Sequence, residues 1–167
     1  ELGEYGEWYY LENGTPKTGW FEYKGKKYYL SPGTYTGSMD VWDYETNESE
    51  YYFFDQDGAV IKPKDGWFSM KEYGRTSWYY IKNGEAVHHT WYNGYYFYAS
   101  GQMATGTMET LSGEIYVFDD NGYLLKNGWH ELDGVWYYTD AKGRAYTGER
   151  KINGKTYWFT DSGVWVK

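Results

Sequence analysis

Clusters of aromatic residues recur along the chain and are separated by polar segments that contain glycine. The interval between the centres of successive clusters is about twenty residues, with insertions, which is typical of a repeat protein. Within a cluster such as residues 136–139, alternate side chains would lie on opposite faces of a β-strand. The clusters are centred on Tyr9, Tyr29, Tyr52, Tyr79, Tyr96, Val117, Tyr137 and Trp158.

Short turn signals lie between the extended aromatic segments. Asn93-Gly94, Asp133-Gly134 and Asn153-Gly154 can adopt the positive φ angles that tight hairpin turns require. Apolar residues never recur at helical spacing over three turns, so no helix is expected. Each repeat is therefore predicted to be one β-hairpin.

The predicted fold class is all-β, a solenoid of stacked hairpin repeats. A lone hairpin is marginally stable in water, so about eight of them must stack and share an interior. We expect one repeat-built domain over residues 1–167. The intervals from Tyr29 to Tyr52 and from Tyr52 to Tyr79 are 23 and 27 residues long, which predicts irregular longer loops near 38–50 and 60–76.

Composition indicates that aromatic rings build the core. The chain has 23 Tyr, 10 Trp and 7 Phe but few aliphatic residues. Each aromatic side chain can bury roughly 150 to 250 Å². The rings can therefore replace the aliphatic side chains of an ordinary interior.

Charge and apolar runs exclude several classes of partner. The net charge is −8, which argues against nucleic acid and against an anionic membrane surface. No apolar run approaches the ~20 residues of a membrane span, so no membrane insertion is expected. Glu1 does not begin a signal peptide, which indicates a mature or trimmed chain.

No constellation of residues predicts catalysis, so no enzyme, no cofactor and no metal site are expected. His88 and His89 are adjacent, and on a strand they would face opposite sides. Aspartates such as Asp55 and Asp119 precede turn glycines, where their side chains bond the local backbone. The segment 119–130 lacks the ligand pattern of an EF-hand loop.

The aromatic residues are candidates for ligand binding because they are more numerous than a small core requires. Two or three indole or phenol rings around a groove form a cage for a quaternary ammonium ion. The same flat rings can stack on sugar faces. Packing in the core remains the alternative for any single aromatic residue.

A Gly-Trp pair precedes the aromatic cluster in several units, at Gly19-Trp20, Gly66-Trp67 and Gly128-Trp129, with Thr90-Trp91 as a variant. The run SGQMATG at 100–106 adds a Gly-x-Met-x-Thr-Gly motif. With the Trp-Tyr-Tyr clusters, these motifs resemble the cell-wall-binding, or choline-binding, repeats of Gram-positive surface proteins over essentially the whole chain. Related repeats in streptococcal glucansucrases and clostridial toxins recognise carbohydrate, and residues 25–30 and 154–159 are more similar to the toxin repeats.

In choline-binding members, the resemblance implies sites between consecutive repeats. Each uses the Gly-Trp tryptophan, the first aromatic of the cluster, an aromatic of the next unit and often a methionine. Tyr95 belongs to two of the candidate cages given below and can serve only one of them. In other units Lys27, Ile115 and Thr156 replace the first aromatic, which leaves those cages incomplete. The candidate cages are Trp67 and Trp78 with Tyr95, Trp91 and Tyr95 with Met103, and Trp129 and Trp136 with Tyr157.

The expected function is attachment to a bacterial cell surface by a secreted, extracellular, wall-attached protein. Choline on teichoic acid is the first predicted partner, because the cages and the acidic surface both favour a cation. A glucan or host glycan is the alternative. A structural spacer or dimerisation module is the third, and pairing of two copies through the terminal hairpin near 164–166 would form a homodimer.

Overall fold

The structure, a computed structural model, describes residues 8–43, 46–72 and 74–166. All helical or strand structure in that part of the chain is β-strand, arranged as eight small antiparallel sheets. Each sheet is a hairpin, and three of them gain a third strand. The prediction of an all-β fold made of hairpin repeats is confirmed.

The chain divides into two compact units. Unit 1 extends to His89 and includes Ala99–Gln102, and unit 2 comprises Thr90–Tyr98 and the chain from Met103 onward. One domain over residues 1–167 stays a prediction. The strands of unit 1 are Leu11–Glu12 (β1), Thr15–Pro16 (β2), Gly19–Tyr23 (β3), Lys26–Leu30 (β4), Gly37–Asp43 (β5), Glu48–Phe54 (β6), Val60–Ile61 (β7), Gly66–Glu72 (β8), Arg75–Lys82 (β9) and Glu85–Ala86 (β10).

Unit 2 consists of four hairpins, the last of which has a third strand. Its strands are Thr90–Tyr92 (β11), Tyr95–Phe97 (β12), Gly106–Glu109 (β13), Ile115–Phe118 (β14), Gly128–Leu132 (β15), Val135–Thr139 (β16), Gly148–Ile152 (β17), Lys155–Phe159 (β18) and Trp165–Val166 (β19).

The predicted hairpin turns are present. Asp133 and Gly134 connect β15 to β16 with φ angles of 51° and 78°. Asn93-Gly94 and Asn153-Gly154 adopt the same left-handed pair of conformations. Two consecutive positive φ angles match the right-handed twist of the flanking strands, which is why Asn-Gly and Asp-Gly pairs end the strands here.

Aromatic rings form much of the core, as composition predicts. Phe54, Tyr79, Phe97 and Phe118 are fully buried. In unit 1, the ring of Phe53 lies edge-on to Tyr79 at a centroid distance of 4.9 Å. Aliphatic residues contribute more than expected, because the fully buried set also contains Leu30, Ile81 and Val117.

Close glycine contacts stack one repeat on the next. A Cβ atom at Gly143 would lie 2.6 Å from Cγ of Leu124, and one at Gly122 would lie 2.5 Å from Sδ of Met103. Only glycine allows the turn of one repeat to lie this close to the side chain of the preceding repeat. Met103 is buried in this contact.

The predicted longer loops near 38–50 and 60–76 are wrong. The first segment lies largely in β5 and β6, which pair over seven residues from Gly37↔Phe54 to Asp43↔Glu48. The second contains β8, which pairs with β9 over seven residues. The extra residues lengthen the strands because extended aromatic and polar residues continue the alternation on both sides of each turn.

Glu72, at the end of β8, is a buried carboxylate within a polar network of unit 1. Its Oε1 accepts hydrogen bonds from the backbone N–H and hydroxyl of Ser38, both at 2.7 Å. Its Oε2 accepts from Tyr79 at 2.5 Å and from Gln102 at 2.9 Å. Burial acts to raise the pKa of Glu72, but the hydrogen bonds outweigh it and lower the pKa. The network thus satisfies a charge that would otherwise be costly to bury.

Candidate aromatic binding sites

A cluster of aromatic rings surrounds Trp129, on β15. Four rings are steeply inclined to its indole, at interplanar angles of 63° to 77°. Their centroid distances from Trp129 are 6.5 Å for Trp136, 5.3 Å for Tyr138, 5.0 Å for Tyr157 and 5.4 Å for Trp165. We call this group the Trp129 site.

Strand register positions these rings. Trp129 is opposite Tyr138, and Trp136 precedes Tyr138 by two residues on β16. Because the side-chain period of a strand is two, all three rings share one face of the hairpin. The other face is buried through Tyr137 and Thr139, as the sequence pattern predicts.

The next hairpin supplies the opposite wall of the Trp129 site. Tyr157 lies on β18 and Phe159 lies under the indole of Trp129, stacked at 5.8 Å. Phe159 is buried and pairs with Trp165 of β19. The structure therefore brings Trp129, Trp136 and Tyr157 together, the grouping expected from the sequence.

Trp165 is the ring that sequence reasoning missed in this site. Its centroid lies 6.1 Å from that of Tyr157 and 5.4 Å from that of Trp129. The signal is its spacing of two residues after the turn glycine Gly163, the same spacing as Gly101 to Met103. The residue two positions after this glycine thus contributes a side chain to the seam, the space between its own hairpin and the preceding one.

A second cluster in unit 2 surrounds Trp91, on β11. Its rings are Tyr96 at 5.3 Å, Tyr116 at 6.0 Å and Phe118 at 5.8 Å from Trp91. Two of these rings, Trp91 and Tyr116, line an open cleft of about 420 Å³, which we call the Trp91 cleft. Its lining includes Trp91, Gly94, Tyr116, Leu124, Lys126 and Lys142.

The structure does not group Trp91 with Tyr95 and Met103. Trp91 is paired with Tyr96, so the adjacent Tyr95 lies on the other face of the hairpin. The ring of Tyr95 lies 5.2 Å from that of Tyr123. Met103 is buried beneath Gly122, a turn glycine of the next repeat. Leu124 instead lines the Trp91 cleft.

Trp67 and Trp78 are brought together within unit 1. Their centroids are 6.3 Å apart at 81°, and both side chains are exposed. Trp67 also contacts the ring of Tyr80 at 5.4 Å. Tyr95, the third member of that predicted cage, belongs to unit 2. Ligand binding by the three residues as a set stays a prediction.

A fourth tryptophan, Trp20 on β3 of unit 1, has two tyrosines and a phenylalanine around it, as Trp91 does. Its ring lies 5.2 Å from Tyr29, 4.6 Å from Tyr52 and 6.5 Å from Phe54. We call these rings the Trp20 site. It was not among the predicted cages because Lys27 stands where the first aromatic of the cluster is expected.

A separate cleft in unit 1 has a mixed lining and a volume of about 490 Å³. Tyr51 and Tyr52 provide phenol rings, and burial raises the pKa of Tyr51 to about 12. Carboxylates lie among the lining residues as well. The polar and charged lining residues are Asp40, Ser49, Glu50, Lys62, Glu85 and His88.

His130 and the turn aspartates have local structural contacts. His130 Nε2 lies 3.0 Å from the hydroxyl of Thr139, and burial lowers the pKa of His130. Oδ1 of Asp119 accepts the N–H groups of Asn121 and Tyr123, which forms the predicted Asx turn. Asp55 makes the same pair of bonds to its own turn.

Two absences apply to the part of the chain that the structure describes. No cluster of three or more His, Cys, Asp or Glu side chains in that part could hold a metal ion. Among the same residues there is no helix with the length and apolarity that crossing a bilayer requires.

A family model for a putative cell wall binding repeat matches three segments, residues 18–32, 127–145 and 150–164. The second segment contains Trp129 and Trp136, and the third contains Tyr157. The first contains Trp20 and Lys27. The two segments that form most of the Trp129 site are thus matched repeats.

The chain is similar to streptococcal glucosyltransferases. It is 31% identical to glucosyltransferase-S of Streptococcus mutans serotype c, across 86% of this chain and 11% of that protein. It is 36% identical to glucosyltransferase-S of Streptococcus downei, across 84% of this chain and 10% of that protein. The chain therefore spans about a tenth of the length of these relatives.

The chain is also similar to solved structures of two pneumococcal proteins. Choline binding protein F from Streptococcus pneumoniae is 27% identical across 95% of this chain and 55% of that chain, with a TM-score of 0.47. The autolysin LytC from the same species is 20% identical across 100% of this chain and 42% of that chain, with a TM-score of 0.39.

Proposed function

We propose that this chain, three segments of which match a putative cell wall binding repeat, attaches an extracellular bacterial protein to a cell envelope by binding choline on teichoic acid. The observation that carries this proposal is the Trp129 site, where Trp136, Tyr157 and Trp165 surround one indole. Electron-rich ring faces attract a quaternary ammonium ion without requiring a hydrogen bond from it.

The expected affinity of one site is low. Each cation–ring contact contributes about 0.5 to 2 kcal/mol, so three rings predict a dissociation constant near the millimolar range. The net charge of −8 favours approach of a cation. Several sites on one chain would strengthen attachment to a wall that displays many choline groups, because the later contacts become intramolecular.

Titration of tryptophan fluorescence with choline chloride tests this function. We expect a saturable change in the wild type that is lost in Trp129→Ala and retained in Trp158→Ala. Trp158 is a suitable control because it is 57% exposed and lies outside the Trp129 site. A wild type without a saturable response, or a Trp129→Ala variant that binds as the wild type does, would refute the proposal.

A glycan ligand is the second candidate, and the unit 1 cleft favours it. The cleft combines two phenol rings with carboxylates such as Glu50 and Glu85, a combination suited to stacking on a sugar and accepting its hydroxyl hydrogen bonds. Similarity to glucosyltransferases agrees with this class. Titration with α-glucan oligosaccharides should therefore give different binding curves for the wild type and for Tyr51→Ala.

The remaining expectations concern the chain as a whole. We expect this chain to have no catalytic activity of its own, although its relatives are enzymes. Homodimerisation through the terminal hairpin also stays a prediction. Val166 is half exposed there, whereas the ring of Trp165 is packed against Trp129 within its own chain.

A further inference from the structure

Lys27 places its ammonium group within the Trp20 site. Its Nζ lies 3.7 Å from the ring centroid of Trp20 and 5.3 Å from that of Tyr52. Both distances are within the range of a cation–ring contact. The two rings belong to consecutive hairpins, β3–β4 and β5–β6, so the ammonium group lies in the seam between them.

Strand register shows that Lys27 replaces an indole. Lys27 lies two residues before Tyr29, which is paired with Trp20. Trp136 lies in the same relation to the partner of Trp129. Side chains at this spacing share a face with the central tryptophan, so the two sites differ at one equivalent wall position. Where the Trp129 site has a second ring, the Trp20 site has a cation.

Contacts with aromatic rings account for the position of the Lys27 ammonium group. No carboxylate among the described residues forms an ion pair with it. The neighbouring Lys26 lies 3.8 Å from a carboxylate oxygen of Asp55. None of the ion pairs between described residues includes Lys27 or its cross-strand partner Glu22. The alternation of side chains sends the two adjacent lysines to opposite faces of β4.

We propose that Lys27 is a built-in cation that closes the Trp20 site to external quaternary ammonium ligands. This inference rests on the proposed function of the Trp129 site, because both depend on the affinity of such ring clusters for ammonium groups. An added cation would meet both the volume of the Lys27 side chain and its like charge. Lys27 thereby reduces the number of seams that are open to choline.

Site-resolved NMR of the whole chain tests the proposal. In ¹⁵N-labelled wild type, choline chloride should shift the indole N–H resonance of Trp129 and leave that of Trp20 in place. In Lys27→Ala, the Trp20 resonance should shift saturably in the millimolar range, with an apparent affinity at least tenfold higher than in wild type. Lys27→Trp rebuilds the second indole and should bind more tightly than Lys27→Ala.

Matched variants separate charge from bulk. Lys27→Met fills the same space without charge and should leave the Trp20 site closed or only weakly responsive. Lys26→Ala removes a neighbouring lysine from the other face and should behave as wild type. A second measurement avoids substitution altogether, because ring currents should move the ε-methylene protons of Lys27 upfield in wild type.

The outcomes distinguish this inference from the proposed function. A Trp129 resonance that responds while Trp20 stays silent in both Lys27→Ala and Lys27→Trp overturns the role of Lys27 alone. Silence of both tryptophans in every variant overturns the proposed function along with it. Saturable shifts of Trp20 in wild type, or ε-methylene protons of Lys27 at unshifted positions, also overturn the inference.

Discussion

The Trp129 site and the Trp91 cleft are equivalent seams of unit 2 with different walls. Both have a tryptophan on the first strand of a hairpin, a cross-strand tyrosine, and a tyrosine and a phenylalanine from the next hairpin. The Trp129 site adds Trp136 and Trp165. At the corresponding positions the Trp91 cleft has Gly94 and Leu124.

Hairpin length explains the first difference. Strands β15 and β16 pair over five residues, whereas β11 and β12 pair over three. The two additional pairs provide the position from which Trp136 reaches the seam. In the shorter hairpin the position two residues before Tyr96 is the turn glycine Gly94, which has no side chain to contribute. A complete cage therefore requires a long hairpin as well as a tryptophan.

Charge adds a second difference. Lys126 and Lys142 line the Trp91 cleft and would repel a cationic ligand. The comparison thus predicts choline binding at the Trp129 site and weaker binding, or none, at the Trp91 cleft.

Gly143→Ala should have the largest effect, through stability. The added Cβ would lie 2.6 to 2.8 Å from side-chain carbons of Leu124, at a φ of +84°. Overpacking and backbone strain together should lower the free energy of unfolding by about 2 to 4 kcal/mol. Urea unfolding measures this loss. Gly134→Ala has similar φ but no atoms near the added Cβ, so it should cost less, and equal losses would contradict the stacking contact.

Trp136→Ala should weaken choline binding at the Trp129 site about tenfold. The expected loss of one cation–ring contact is about 1.4 kcal/mol. Isothermal titration of the wild type and the variant measures the change. Trp158→Ala serves as the control for removal of an indole elsewhere, and an unchanged dissociation constant in Trp136→Ala would remove this ring from the site.

Lengthening the short hairpin should convert the Trp91 cleft into a better site. Replacing residues 92–94 by the seven-residue sequence of 130–136 adds two pairs and an indole at the missing wall. Choline affinity followed by the Trp91 indole resonance should rise several-fold, since one ring contact is added. The same graft ending in Ala controls for hairpin length, and equal affinities for both grafts would contradict the assigned role of the second indole.

Lys142→Gln should have the smallest effect. Removing one exposed positive charge from the edge of the cleft should strengthen choline binding there about twofold at low ionic strength. The difference should disappear in high salt. Lys151→Gln, an exposed lysine of unit 2 that does not line the cleft, should leave affinity unchanged, and a Lys142 effect that persists in high salt would not be electrostatic.

The sequence was sufficient to predict the hairpins and the grouping of Trp129, Trp136 and Tyr157, but not the addition of Trp165. Asp133-Gly134 dictates a turn by its backbone preferences, and alternation then places Trp129, Trp136 and Tyr138 on one face. These are local properties of the chain. The longer intervals between clusters predict loops, whereas the structure has the long strands β5 and β6 in the first of them.

Contacts between repeats were harder to predict than those within a hairpin. Tyr95 follows Trp91 closely in sequence, yet the register sends it to the other face. Met103 lies in the Gly-x-Met-x-Thr-Gly motif at 100–106, but Gly122 covers its side chain. The presence of Trp165 in the Trp129 site and of the Lys27 ammonium group in the Trp20 site depends on which hairpins lie next to each other. That arrangement is set by the three-dimensional stacking of the repeats.

The most direct test is the position of bound choline in the Trp129 site. Nuclear Overhauser effects should connect the N-methyl protons of choline to ring protons of Trp129, Trp136 and Tyr157 in the wild type. Effects confined to residues of the unit 1 cleft, such as Tyr51, or none to any aromatic ring at saturating choline, would contradict the account.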